Sequence, residues 1–186
     1  KTVYEEKDPT NYIGVNKTKS DKFIFIGSGA TLSSEYRYID ANKPEDAFKV
    51  FQPRMKEVLY DVDHANDKFY IRTNLQAKNF KLMTCAETKT DSSAWTELIA
   101  HNDKILIQGF DLFKSYMAIS ERKDGLTQIH ILNTKDNSSH YLKFDEAAYA
   151  ANIAYIPDYN TDVMRYNYTS LTTPNSVYDY NMTTKE

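Results

Sequence analysis

The feature that most constrains this chain is a repeat. Four short apolar segments share one texture: Phe23-Ile24-Phe25-Ile26, Phe69-Tyr70-Ile71, Tyr116-Met117-Ala118-Ile119 and Val163-Met164-Arg165-Tyr166. Each follows a polar turn, as in Lys19-Ser20-Asp21-Lys22 and Ala65-Asn66-Asp67-Lys68. They start at residues 23, 69, 116 and 163, spacings of 46, 47 and 47. A period of this size is used by propeller blades and by helical arrays.

Residue types decide between the two. Downstream of each segment lies a run that alternates apolar and polar: Glu35 to Ile39, Asn79 to Met83, Gln128 to Leu132 and Val177 to Asn181. Alternation separates side chains onto two faces of a pleated strand. The 15 Tyr and 9 Phe suit half-buried pleated surfaces. Inner strands are expected at Tyr12–Val15, Val58–Val62, Ile105–Gly109 and Asn152–Ile156. Outer strands are expected at Phe48–Phe51, Trp95–Ile99 and His140–Phe144. Four strands per unit is a propeller blade. The fold class expected is therefore all-β, with about four four-stranded antiparallel blades in units of roughly 11–54, 55–101, 102–146 and 150–184. The fourth unit supplies three strands, and Lys1-Thr2-Val3-Tyr4 reads as the outer strand of a preceding blade, so an open arc is expected rather than a ring. Two stretches conflict locally. Glu45 to Phe48 after Pro44, and the Ala-rich Glu146 to Ala154, favour helix by propensity. The repeat register assigns both to strand or strand approach.

Composition excludes several classes. Of the residues, 41% are hydrophobic, enough for a core, while the net charge of -3 leaves no basic footprint for nucleic acid. No apolar run approaches the roughly 20 residues of a membrane-crossing helix, so no membrane partner is expected. The lone cysteine, Cys85, lies in the apolar stretch Phe80 to Cys85 and reads as a small buried hydrophobe. One cysteine builds no disulfide framework, and a cytoplasmic location is expected, with the periplasm as the alternative. The chain starts at Lys1 rather than Met, which reads as a boundary inside a longer protein.

A search for converging chemistry returns little. Gly27-Ser28-Gly29 has neither the spacing of a nucleophile elbow nor a following Gly-Lys-Ser/Thr, and reads as a turn between strands. His64, His101, His130 and His140 are not paired at metal-ligand spacing. His64, after Asp61 and Asp63, reads as part of a solvated turn. Glu5-Glu6 and Asp145-Glu146 read as solvated flanks of strands. Asn16, Asn137, Asn167 and Asn181 begin glycosylation sequons that an Asn- and Thr-rich chain produces by chance. No catalytic, cofactor-binding or metal-binding residue is assigned, and no cofactor is expected.

Several stretches resemble the oligopeptidase B branch of the prolyl oligopeptidase family of serine peptidases. Val3-Tyr4-Glu5-Glu6-Lys7-Asp8 is similar to a segment that leads into one of that family's blades. Ser33 to Ala41, Asp67 to Asn74, Ala77 to Leu82 and Gly109 to Phe113 follow in the family's order. Glu121-Arg122 and Asp124-Gly125-Leu126 continue it, and Tyr168 to Tyr180 resembles its last propeller segment. The Ala147 to Ala151 run departs from the family's Pro- and Val-containing pattern.

The resemblance implies a seven-bladed propeller over an α/β-hydrolase domain, with the Ser-Asp-His triad outside this segment. It implies a parent enzyme that cuts short peptides after Arg or Lys, with the propeller restricting access. The partners implied are that C-terminal hydrolase domain and short basic peptides. Asp61, Asp63 and Asp111, near the ends of inner strands, are candidates to present negative charge to such peptides, against an ordinary role as turn carboxylates. The rival reading is a stand-alone propeller module binding protein or carbohydrate. Phe23, Phe25, Tyr178 and Tyr180 are expected on uncovered blade faces, and the fourth unit's missing outer strand leaves an unpaired edge; through either the isolated segment is expected to self-associate.

Overall fold

The computed structural model of the chain describes residues 2–186. Among them are fifteen strands and one short 3-10 turn, Ser92–Ala94. The first sheet runs β1 (Tyr12–Lys17), β2 (Phe23–Gly29), β3 (Ser34–Asp40), β4 (Lys49–Gln52), and the second β5 (Tyr60–Ala65), β6 (Lys68–Thr73), β7 (Lys81–Ala86), β8 (Thr96–Ile99). The third runs β9 (Ile105–Leu112), β10 (Tyr116–Lys123), β11 (Leu126–Asn133), β12 (Ser139–Tyr141). The fourth has three strands, β13 (Tyr149–Ala154), β14 (Val163–Ser170) and β15 (Ser176–Asn181). Every sheet is a meander whose neighbours in space are neighbours in sequence, all antiparallel. The all-β blade architecture read from the repeat is the one observed.

The chain divides into two compact units, Lys1–His101 and Asn102–Glu186. In the first unit, the alternating side chains of β2 send Phe23 and Phe25 into a core with Phe51, Tyr60, Phe69, Ile71, Met83, Cys85 and Trp95. The rings meet edge to face, with Phe51 and Phe69 centroids 5.0 Å apart at 84°. Such pairs contribute about 0.5–1.5 kcal/mol beyond their buried area. Phe23 and Phe25 therefore do not lie on an uncovered face. The second sheet covers them, because β2 sits between β1 and β3 and turns its aromatic face toward β6.

The second unit buries Phe113, Ala118, Ile129, Ile131, Leu142, Ala151, Met164, Tyr168 and Met182. The Ala-rich run forms β13 and not a helix. Ala151 is buried there, and its N–H is held by Thr127 Oγ1 at 2.9 Å, so small side chains serve close sheet approach rather than helix propensity. Tyr178 is exposed and Tyr180 half-buried. The turn after β11, with Asn133 N–H on Ser138 O and Asn137 N–H on Asn133 O, recurs after β15. There Asn181 N–H bonds Glu186 O and Lys185 N–H bonds Asn181 O, and Asn137 and Lys185 share a positive φ of 59° and 62°.

Strand ends differ from the sequence expectation where local chemistry claims the backbone. β7 starts at Lys81 rather than Asn79, because Phe80 closes a turn at φ 63° and its N–H bonds Ala77 O. β5 starts at Tyr60 rather than Val58, because the Asn74 side chain takes the Leu59 N–H at 2.8 Å. β12 stops at Tyr141 rather than Phe144, and β13 spans Tyr149–Ala154 rather than Asn152–Ile156. Thr2 to Tyr4 form no strand, and Lys1 lies outside the described residues. That segment is instead held by side chains: Tyr4 lies under Arg37 at 4.9 Å, and Ser28 donates to Glu6.

Candidate functional site

The most concentrated polar chemistry lies in the first unit, at the turn between β1 and β2. The turn is pinned to β5 by its backbone: Lys19 N–H donates to Asp63 Oδ1 at 2.8 Å and Ser20 N–H to His64 O at 3.2 Å. This places the Ser20 hydroxyl 2.7 Å from His64 Nδ1. The other ring nitrogen, Nε2, is 2.6 Å from Glu87 Oε1, on the turn after β7. Glu87 also accepts from Lys22 Nζ at 2.5 Å, and Lys22 reaches Asp67 at 3.2 Å. A carboxylate that holds a lysine is an acceptor, so Nε2 carries the proton and Nδ1 accepts from Ser20. The His64 side chain is 1% exposed, wedged between Phe23 and Phe69 at ring distances of 4.9 and 5.0 Å. Burial pushes its pKa below the ordinary 6.5, and Glu87 opposes that. His64 is therefore a buried imidazole within β5 and not part of a solvated turn.

Two further clusters occupy the first unit. Glu6 accepts from Ser28, from Asp8 N–H and from Tyr4, which together hold its carboxyl at about 2. Arg54 donates to the Ser28 hydroxyl at 2.7 Å and lies 3.9 Å from Glu6. Glu6 is thus an anchor where Glu5 is exposed, and Ser28 is a buried strand residue in β2. Asp61 accepts from Arg72 at 2.7 Å and from the Tyr36 hydroxyl at 3.4 Å, and Arg72 stacks on Phe80 at 3.6 Å.

In the second unit, His130 Nδ1 meets Glu121 Oε1 at 2.9 Å, and Tyr141 donates to Glu121 Oε2 at 3.0 Å while stacking on His130 at 4.4 Å. Burial, then Glu121, pushes the Tyr141 phenol up to about 12. His130 Nε2 is buried with no hydrogen-bond partner among the described residues. His140 bonds the Tyr180 hydroxyl at 2.8 Å. Asp145 is exposed, whereas Glu146 collects hydroxyls from Thr172 at 2.6 Å, Thr173 at 2.7 Å and Tyr168 at 3.2 Å. The Ser170 hydroxyl, then those of Thr172, Thr173 and Tyr168, hold the Glu146 carboxyl at about 2. Phe144, Glu146, Tyr166, Tyr168 and Tyr178 line a cavity of about 240 Å³.

The three aspartates singled out from sequence all sit inside strands. Asp61 carries an arginine, Asp63 receives the N–H groups of Lys19 and His64, and Asp111 caps its own neighbour Leu112 at 2.9 Å. Cys85 is buried in the first core, which raises its thiol pKa to about 12. His101 is half-buried beyond β8. The sequon residues Asn16 and Asn137 are exposed, Asn167 and Asn181 half-buried. Among the described residues, no group of three His, Cys, Asp or Glu is placed to hold a metal. Ser20, Glu87 and Glu121 were not singled out from sequence as site residues; Ser20 stood only in a polar turn and Glu121 only in a stretch resembling the family. Their partners are supplied by other strands, and no local motif marks them.

The description "Prolyl oligopeptidase, N-terminal beta-propeller domain" matches residues 1–186. Dipeptidyl aminopeptidase BI of Pseudoxanthomonas mexicana is 40% identical over 99% of the chain, and Protease 2 of Moraxella lacunata 32% over 99%. The chain spans 25% and 26% of those two proteins. Among solved structures, oligopeptidase B from Trypanosoma brucei, with covalently bound antipain in a closed form, superposes with a TM-score of 0.93. It is 28% identical, over 99% of this chain and 28% of the other.

Proposed function

Since the chain belongs to the prolyl oligopeptidase family of peptidases, as N-terminal β-propeller domain, we propose that it forms four successive blades of a propeller lying over a serine-type catalytic domain. The whole protein cuts short peptides after Arg or Lys. The blades contribute exclusion rather than chemistry. A rigid, closely packed wall over a catalytic cleft admits short flexible chains and keeps bulk water out. The observation that carries this reading is the likeness, over nearly the whole chain, to an oligopeptidase B in a closed form with covalently bound antipain.

A second reading has its own support. Identity to a dipeptidyl aminopeptidase, 40%, exceeds identity to Protease 2, 32%. In that reading the whole protein releases dipeptides from a free amino terminus. One panel separates them: the whole protein is assayed on amino-blocked Arg and Lys amides, on dipeptide amides with a free amino terminus, and on amino-blocked Pro amides. The first reading expects the blocked Arg and Lys amides to have the highest kcat/KM. Preference for free-terminus dipeptides replaces it with the second, and preference for Pro overturns both. Absence of any serine hydrolase sequence after Glu186 in the gene would favour the stand-alone binding module instead.

The 186-residue chain alone is proposed to self-associate. Every residue of β1 is exposed, including Tyr12 at 87% and Val15 at 72%, and β1 is an edge strand. Exposed apolar edges pair with other chains. Light scattering across a dilution series is expected to show mass rising with concentration. A monomeric mass at high concentration contradicts this.

A further inference from the structure

Ser20, His64 and Glu87 form a line that no peptidase assignment uses. A nucleophile is recognised by a hydroxyl within hydrogen-bond reach of a base that a third group orients, whatever the chain order. Here the hydroxyl-to-base distance is 2.7 Å and the base-to-carboxylate distance 2.6 Å. The polarity is that of a relay: Ser20 O–H donates to Nδ1, and Nε2–H donates to Glu87. His64 is buried and Glu87 is further fixed by Lys22, so neither partner is free to wander. Ser20 itself is half-exposed on a turn whose backbone is pinned to β5. The nearest backbone donor is Lys22 N–H, 3.3 Å from the Ser20 oxygen. Thr18 Oγ1 lies 3.1 Å away on the buried side.

We propose that Ser20 is an acyl-acceptor site, in which His64 is the general base and Glu87 the positioning residue, and that its substrates are small activated esters. The Ser20 oxygen attacks the ester carbonyl carbon, and its proton passes to His64 Nδ1. A C–O bond forms to Ser20, and the bond to the leaving group breaks, the aryloxide departing with the electron pair. His64 then returns its proton to solvent. The Lys22 N–H donates to the attacking Ser20 oxygen and not to the place a carbonyl oxygen would take; without the preorganised donors that efficient acyl transfer uses, the site is acylated once and deacylated slowly. The inference is independent of the peptidase reading, because it concerns groups within this chain.

The probe is p-nitrophenyl acetate, added to the 186-residue chain. The expected result is a burst of nitrophenolate approaching one equivalent, with acetate located on Ser20 by peptide mass mapping. Ser20→Ala removes the burst. His64→Gln slows it by about 10²-fold, the usual contribution of a general base. The burst rate follows the neutral form of His64, with its midpoint below 6.5 as burial dictates. Asp63, Asp67, Glu87 and Lys22 are the charged groups around that ring. Glu87→Gln removes the carboxylate that raises the His64 pKa, so it moves the midpoint lower still, which a merely structural Glu87 would not do. Mapping on the unsubstituted chain decides the matter even where a variant fails to fold. Acetate spread over lysines and tyrosines, a rate unchanged by unfolding the chain in guanidinium, or no burst overturns the proposal.

Discussion

Burial of His64 between two phenylalanines makes folding of the first unit proton-linked. The folded pKa lies below the ordinary 6.5, with burial as the main cause. Below 6.5 the unfolded chain therefore binds more protons than the folded one, and stability falls as the pH falls. The full contribution is present above 6.5 and is lost progressively as the pH drops toward the folded value. Urea midpoints measured between about pH 5 and pH 8 should fall on the acid side, and His64→Gln should flatten that dependence relative to the parent. An unchanged slope in His64→Gln would place the linkage elsewhere. None of this was legible locally. The acidic neighbours Asp61 and Asp63 suggest a solvated loop, whereas Ser20 and Glu87 stand 44 and 23 residues away. Phe23 misled in the same way: its alternation shows that it has a face, and not which sheet covers that face.

At the level of strands, one hydroxyl stands out. The β3–β4 ladder shifts register between Tyr36 and Arg37, leaving Phe51 unmatched. Tyr60 of β5 fills that gap. Its hydroxyl accepts from Tyr36 N–H at 2.9 Å and donates to Gln52 O at 2.7 Å. The bulge thus ties the first sheet to the second, with Ser34 Oγ on Tyr60 N–H and O as a further clasp at 2.7 Å. Tyr60→Phe leaves a buried N–H and a buried C=O unpaired, and is expected to cost about 1–3 kcal/mol. Chemical denaturation measures it, and a loss within error of zero would show that water or a shifted ladder replaces the hydroxyl. The sequence showed the middle strands of each unit clearly, because alternation and a period near 47 residues agree there. It located strand ends less well. Phe80 in a left-handed turn and Leu59 bonded to Asn74 obey side-chain chemistry rather than hydrophobic pattern.

For the whole molecule, each unit has its own core, built by two sheets that bury one aromatic or aliphatic face each. A meander buries little alone, and stacking repeats supplies the rest. That is why the repeat was readable before any motif, and why the family could be recognised from scattered collinear stretches such as Asp67 to Asn74. The candidate site was not readable on the same terms, because Ser20 and Glu87 come from two separate turns and His64 from β5, and a fold is needed to assemble them. The proposal of access control concerns the protein in which these blades serve, and it is tested by substrate length. The measurement is kcat/KM of the whole protein on a ladder of peptides carrying one identical Arg cleavage site, from short peptides to an unfolded protein. The account predicts efficient cleavage of the short members, a steep fall as the chain lengthens, and negligible cleavage of the unfolded protein. Equal kcat/KM along the whole ladder would contradict it.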